Sequence, residues 1–282
     1  MNSTGRRTAL AEWLASPQNP IAPRVIVNRI WHYHFGRGIA GTPSDFGMMG
    51  ERPANKELLD YLASNFIANG WSMKQLHKLI LMSNTYRQSS DFRAEAAAID
   101  SQDKYLWRYP RHRLEGEVIR DSMLAVSGEL NPKMGGPGVF PPLPEGVNPR
   151  GGWKKNESPS EANRRSVYIF VRRNTRYPML ESFDMPDTHE SCARRNVTVT
   201  PTQSLALLNS NLTVDWARSF AARVLNDSGL PPEAQVDRAY KFAYGRTPNN
   251  EERRDAVEFL KHQQLTDLCH VLLNSNEFLY VN

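Results

Sequence analysis

The sequence predicts a mostly α, multi-helix globular domain with a small β element and long Gly/Pro-rich loops. Three observations carry that reading. Apolar residues recur at helical spacing in segment after segment, with Ser, Thr, Asn or Pro at the starts and Gly or Asn at the ends. Convincing two-residue alternation is confined to Ser166–Arg172. Of 282 residues, 40% are hydrophobic and 23% charged, which excludes collagen-like, coiled-coil and wholly disordered classes. A chain of this length can bury ~75% of its unfolded surface, so it needs neither disulfides nor metal to fold.

Taken in order, Thr8–Ser16 reads as a short helix ended by Pro17 and Pro20. In the next helix Pro23 suits the first turn, and Val27, Ile30, Trp31 and His34 share one face up to Gly36. The stretch 36–53 is rich in Gly and Pro and reads as a long loop folded over its neighbouring helices, a kind of loop that is often functional. Asn55–Asn69 is helical with Leu58, Leu59, Leu62 and Phe66 inward and Gly70 as its C-cap. Ser72 with Gln75 makes a capping box for the helix through Leu81. Ser89–Asp103 reads as a mobile connection, and Leu114–Ser127 as a helix ended by Gly128.

Gly and Pro density rises from Asn131 to Asn163, giving an irregular segment that suits a boundary or an insertion. Ser166–Arg172 is the predicted strand, with Val197–Val199 as a weak partner. Then come helices at Pro201–Leu208, Thr213–Leu225, Glu233–Tyr244, Asn250–Gln263 and Leu265–Leu273, an α-bundle. Leu-Leu-Asn-Ser-Asn occurs at Leu207–Asn211 and again at Leu272–Asn276, which reads as repeated helix capping. The expected organisation is one domain over 1–282, with sub-units 1–130 (helical), 131–195 (loop and strand insertion) and 196–282 (helical bundle).

The net charge is +5, and it is concentrated. Between Asn148 and Arg176 stand Arg150, Lys154, Lys155, Arg164, Arg165, Arg172, Arg173 and Arg176 against Glu157 and Glu161. With Trp153, Tyr168, Phe170 and Tyr177 interleaved, Lys154, Lys155, Arg164, Arg165, Arg172 and Arg173 are candidates for binding a polyanion. A charged strand edge is the plainer reading. The charge-free stretch Asn196–Val214 is polar and holds a Pro, so no membrane span is expected. Met1–Arg7 is polar with no apolar run behind it, so no secretory signal is expected on this chain.

Chemical motifs are sparse. Cys192 and Cys269 form no metal- or haem-type spacing, and Cys269 shares an apolar stripe with Leu265, Leu268 and Leu272, so it reads as a buried thiol. Gly36-Arg37-Gly38-Ile39-Ala40-Gly41 fits G-x-G-x-x-G but follows a helix instead of a strand, and Asp45-Phe46-Gly47 lacks a kinase lobe before it. His32 and His34 point about 200° apart on a helix and do not share a metal. No cofactor and no metal is expected. Around Arg113, a turn of helix gathers Glu117, Arg120 and Asp121, a set that suits acid/base work or a structural ion-pair network. Arg29, His34, Asp45, Glu117, Arg120, Asp121 and Asp184 are the polar groups a catalytic site would draw on.

Several segments carry a family resemblance: Asn28-Arg29-Ile30-Trp31-His32-Tyr33-His34-Phe35-Gly36-Arg37-Gly38, Asp45-Phe46-Gly47, Glu57-Leu58-Leu59-Asp60, Gly70-Trp71-Ser72 and Ser83–Gln88. Further on come Arg113-Leu114-Glu115, Ile119-Arg120-Asp121, Arg165–Tyr168, Phe183-Asp184, Cys192, Arg195-Asn196-Val197, Gln203, Leu208-Asn209 and Asn274–Phe278. Together they resemble the domain-of-unknown-function 1553 family, a planctomycete-specific domain, over nearly the whole chain. The resemblance implies a C-terminal position in a large exported protein, behind a c-type cytochrome domain and a companion domain of unknown function, in bacteria rich in polysaccharide-degrading genes. These 282 residues hold neither upstream domain, so the chain is expected to be a fragment or a stand-alone copy, extracytoplasmic by the resemblance. The expected role is a binding or assembly module of a cytochrome-linked protein. The alternatives are a glycan-acting oxidoreductase or hydrolase with a polar site around the 36–53 loop, and polyanion binding through 148–176, with an anionic glycan expected there in preference to nucleic acid.

Overall fold

A computed structural model describes residues 4–144, 147, 153–172, 175–226 and 229–281. The protein is mostly helical, with fifteen α-helices and one two-stranded sheet among the described residues. Contacts divide it into two units, one running through His112 and the other from Arg113 to Val281.

Unit 1 holds α1 (Arg6–Leu14), α2 (Ala22–Phe35), α3 (Lys56–Ala68), α4 (Met73–Leu81), α5 (Asn84–Arg87) and α6 (Ala94–Ile99). α1 buries no residue. α2 starts on Pro23 and stops where Gly36 takes φ 74 and returns its N–H to the His32 carbonyl. Asn55 caps α3 by accepting the Leu58 N–H, and Ser72 caps α4 by accepting the Gln75 N–H, the forward half of the expected capping box. Val27, Ile30, Trp31 and Phe35 of α2 face Leu59, Leu62 and Phe66 of α3, with Leu76 and Ile80 of α4 completing this core. The connection Ser89–Asp103, read from sequence as mobile, contains α6 and turns held by Asp100, which accepts the Tyr105 N–H.

Unit 2 opens at β1 (His112–Arg113), paired with β2 (Tyr280–Val281) at the end of the chain. Between them run α7 (Gly116–Ser127), α8 (Pro159–Ala162), α9 (Pro178–Ser182), α10 (Pro201–Asn209), α11 (Asn211–Val224), α12 (Pro232–Tyr244), α13 (Asn250–Leu260), α14 (Leu265–Leu273) and α15 (Asn276–Leu279). The core is built on α7, α11 and α14, with Ile119, Met123, Leu124, Phe220, Val224 and Leu273 almost wholly buried. Cys269 lies in it, and burial pushes its thiol pKa up to about 12. Arg246 forks onto Glu252 and Glu277 and so ties the end of α12 to α13 and α15, holding Glu252 down at about 2 chiefly through the hydrogen bond.

The predicted strand is a correction. Ser166–Tyr168 is a 3-10 turn, and beyond it single bridges join Ile169 to Val139 and Arg172 to Thr175. Val167 and Val171 are exposed while Ser166 and Ile169 are buried, so the buried positions fall three apart, the 3-10 repeat, and not two apart. A strand also needs a partner ladder, and Val197–Val199 is exposed outside any strand.

Candidate functional site

Of the four charged groups that the sequence gathers around α7, Arg113 and Glu117 are sent to distant partners, while Arg120 and Asp121 stay 3.6 Å apart and converge on Ser166. Arg113 is buried and donates to Asp184 Oδ2 at 2.6 Å, to the Thr198 carbonyl at 3.2 Å and to the Leu114 carbonyl at 2.9 Å. Asp184 sits at a left-handed φ of 62 and accepts further hydrogen bonds from the Thr198 N–H and hydroxyl and from Gln203. Burial raises its pKa, but the Thr198 hydrogen bonds and the Arg113 guanidinium outweigh that and hold the carboxyl below its usual value. Glu117 takes a two-pronged pair from Arg195 at 2.7 and 3.1 Å. Asp121 accepts the Ser166 N–H at 2.7 Å. A carboxylate occupied by this many donors is a weak base and a poor nucleophile.

Arg120 is 1% exposed and donates to two main-chain carbonyls, of Arg164 at 3.0 Å and Ala162 at 2.8 Å, and to the Ser166 hydroxyl at 3.2 Å. Burial pulls its pKa down, opposed by Tyr177 and Asp121. Arg164 is wholly buried and does the same for the next loop, donating to the carbonyls of Lys133, Gly135 and Pro137 while its guanidinium lies 4.0 Å over the Tyr168 ring. Two arginines thus satisfy the carbonyls of an irregular segment that has little ladder of its own.

That placement breaks up the polyanion set. Lys154, Lys155 and Arg165 are exposed, Arg172 is half-buried, and Arg164 is interior and corrected as a surface candidate. Arg176 pairs with Asp187 at 3.0 Å. Arg173, like Arg150, lies outside the described residues.

In unit 1, Arg29 is exposed on α2, and Asp45 is an exposed turn residue whose carboxylate accepts the Gly47 N–H. His34 Nε2 lies 2.8 Å from His77 Nδ1, a hydrogen bond that joins α2 to α4. Burial, and then His77, lower the His34 pKa. The 36–53 loop folds back as its composition suggests, and Asn28 is its clasp. Wholly buried on α2, Asn28 accepts the Ala40 N–H and donates to the Ala40 carbonyl. A Cβ on Gly38 would come within 2.6 Å of that carboxamide, so glycine is required for the close approach.

Below this loop, unit 1 has a cavity of about 310 Å³ whose walls include Trp31, Ile39, Leu58, Leu62, Ile80 and Leu106. Arg37, Asp103 and Lys104 also reach it. Unit 2 has one of about 450 Å³ between the α9 region and the α10–α11 corner. None of Arg29, His34, Asp45, Glu117, Arg120, Asp121 and Asp184 lines either cavity.

Against known families, residues 6–260 match PSD1, a protein of unknown function (DUF1553). The chain belongs to the PSD1 family. No curated protein and no solved structure gives a match to it. In this PSD1 chain the residues that carry the resemblance turn out to be fasteners: Asn28 and Gly38, Arg113 with Asp184 and Gln203, and Arg120 with Asp121 and Ser166. The residues around the unit 1 cavity were missed in the sequence. Trp31 reads as one more member of an apolar stripe, and Asp103 and Lys104 sit in a polar stretch without periodicity; the one available signal was Arg37 held between Gly36 and Gly38. No helix among the described residues is long and apolar enough to cross a membrane.

Proposed function

We propose that this PSD1 chain is a binding or assembly module and not a catalyst. The setting we propose, from the family resemblance alone, is an exported multidomain protein with a c-type cytochrome domain and a companion domain of unknown function, connected with polysaccharide use. The observation that supports a module is the dispersal of the charged candidates: Asp184, Glu117 and Asp121 are each engaged by structural donors, and none of the seven candidates lines either of the two cavities described. A glycoside hydrolase of the common kind needs two carboxyl groups facing one open space with separated pKa values.

Thermal denaturation of Asp184→Asn, Glu117→Gln and Arg120→Met tests the reading. Groups held for catalysis are commonly held at the expense of stability, so replacing them leaves the melting temperature unchanged or raises it. Groups that fasten the fold lower it when removed. All three variants are expected to melt below the parent. A variant that melts at or above it marks that residue as held for chemistry and overturns the module reading.

A further inference from the structure

Leu-Leu-Asn-Ser-Asn stands twice in the chain, and the two copies are used differently. In the second, helix capping accounts for the motif. Asn274 donates to the His270 carbonyl at 2.8 Å, while Ser275 accepts the Phe278 N–H at 3.2 Å and donates to the Leu272 carbonyl at 2.9 Å. The first copy ends α10 and opens α11, and there Ser210 supplies no side-chain cap. Among the described residues, the side chains of Asn209, Ser210 and Asn211 have no hydrogen-bond partner.

These three groups line the unit 2 cavity, whose volume of about 450 Å³ lies in the range of small-molecule sites. Most of the remaining wall is apolar, from Leu143, Pro178, Met179, Leu205, Leu207 and Leu212. Two other polar members of the wall are spent on main chain: the Ser182 hydroxyl donates to the Pro178 carbonyl, and the Thr213 hydroxyl to the Leu207 and Ser210 carbonyls. No lysine, arginine, histidine, aspartate or glutamate among the described residues lines this space. An ion entering it finds no counter-charge, and burying an unpaired charge is costly. A carboxamide carries N–H donors and a carbonyl acceptor together. Satisfying two carbonyl acceptors at once takes two donors on one head, which a primary amide has and a hydroxyl lacks.

We propose that the unit 2 cavity binds an uncharged primary amide with an apolar body, its head hydrogen-bonded by Asn209 and Asn211 and its body lying on the aliphatic wall. None of Asp184, Glu117 and Arg120 lines this cavity, so the site stands apart from the groups on which the module reading rests.

Isothermal titration calorimetry of the full chain with octanamide, 1-octanol, octanoate and octylamine tests this. Octanamide is expected to bind about fivefold tighter than 1-octanol, the worth of one further neutral hydrogen bond, and both ions to bind at least about tenfold more weakly than octanamide. Asn209 and Asn211 are exposed, so Asn209→Ala with Asn211→Ala is expected to leave the melting temperature close to that of the parent. It is expected to weaken octanamide about tenfold and 1-octanol less. Ala206→Phe narrows the space and is expected to weaken both neutral ligands; Leu205→Trp takes its place should the first variant lack a cooperative melt. Absent octanamide binding, octanoate or octylamine binding as tightly as octanamide, equal affinity for octanamide and 1-octanol, or no effect of the paired asparagine variant or of the filled variant overturns the proposal. These outcomes are separate from the melting test of Asp184, Glu117 and Arg120.

Discussion

Arg164 and Lys155 are equivalent in a charge count and opposite in the fold. Arg164 has no exposed surface and holds three loop carbonyls, while Lys155 stands in solvent. Arg164→Ser is expected to cost about 2–4 kcal/mol, because buried carbonyls lose their donor and a cavity opens beside Tyr168. Lys154→Ser with Lys155→Ser is expected to stay within about 0.5 kcal/mol of the parent. Urea denaturation checks both, and equal costs would remove the distinction. The two thiols separate in the same way: Cys192 is exposed and Cys269 buried with its pKa pushed up to about 12. A disulfide reagent is expected to label Cys192 alone in the native protein and both thiols after denaturation. His34 gives a pH dependence with a definite sign. Its folded pKa lies below the ordinary value, first from burial and then from His77, so the unfolded chain takes up the proton first as pH falls. The stability it contributes is present above about pH 6.5 and is lost as pH drops from there toward the folded value. Melting temperatures of the parent and of His34→Phe between pH 7.5 and 5 are expected to diverge, with the parent falling more steeply; parallel profiles would refute this.

At the scale of elements, the helices form where local signals agree and are held where one small residue lets two segments meet. Gly116 opens α7, and a Cβ there would lie 2.8 Å from the Phe183 Cβ. Gly116→Ala is therefore expected to destabilise by about 1–3 kcal/mol through overpacking, although alanine is the better helix former. Chemical denaturation that shows the variant equal to or more stable than the parent would contradict it. The loop over the unit 1 cavity depends on Asn28 in the same way. Asn28→Ala leaves the Ala40 N–H and carbonyl unpaired in a buried place, at about 2–3 kcal/mol. Limited proteolysis is expected to cut this variant within residues 36–54 at conditions under which the parent is resistant. The lost strand belongs to this scale as well. Alternation in Ser166–Arg172 describes which side chains could share a face, but a ladder requires a second strand, and Val139 supplies one residue of it.

At the scale of the whole molecule, unit 2 carries its own continuous core, so residues 113–281 expressed alone are expected to give a helical circular dichroism spectrum and a cooperative melt. A fragment with neither would show that the core needs the remaining chain. What the sequence by itself determined is the mostly helical class, the places of α2, α3, α4, α7 and α10–α14, the buried thiol of Cys269 and the PSD1 family. The helical class, the helix positions and the buried thiol rest on signals contained within a few turns of chain, a 3.6-residue period, a Pro at the start, a capping Ser or Asn, a Gly at the end, while the family rests on the resemblance spread along the whole chain. What only the tertiary structure decided is which charges meet and where space is left. Arg113 finds Asp184 and Glu117 finds Arg195 across 71 and 78 residues, and Arg164 turns inward while its neighbour Arg165 stays out. A charged side chain reads the same in sequence whether it is solvated or paired, because its partner is fixed by the packing of distant elements; the volume of a cavity such as the one beside Trp31 is not written in the sequence, being the gap that packed helices and the segments folded over them leave between them.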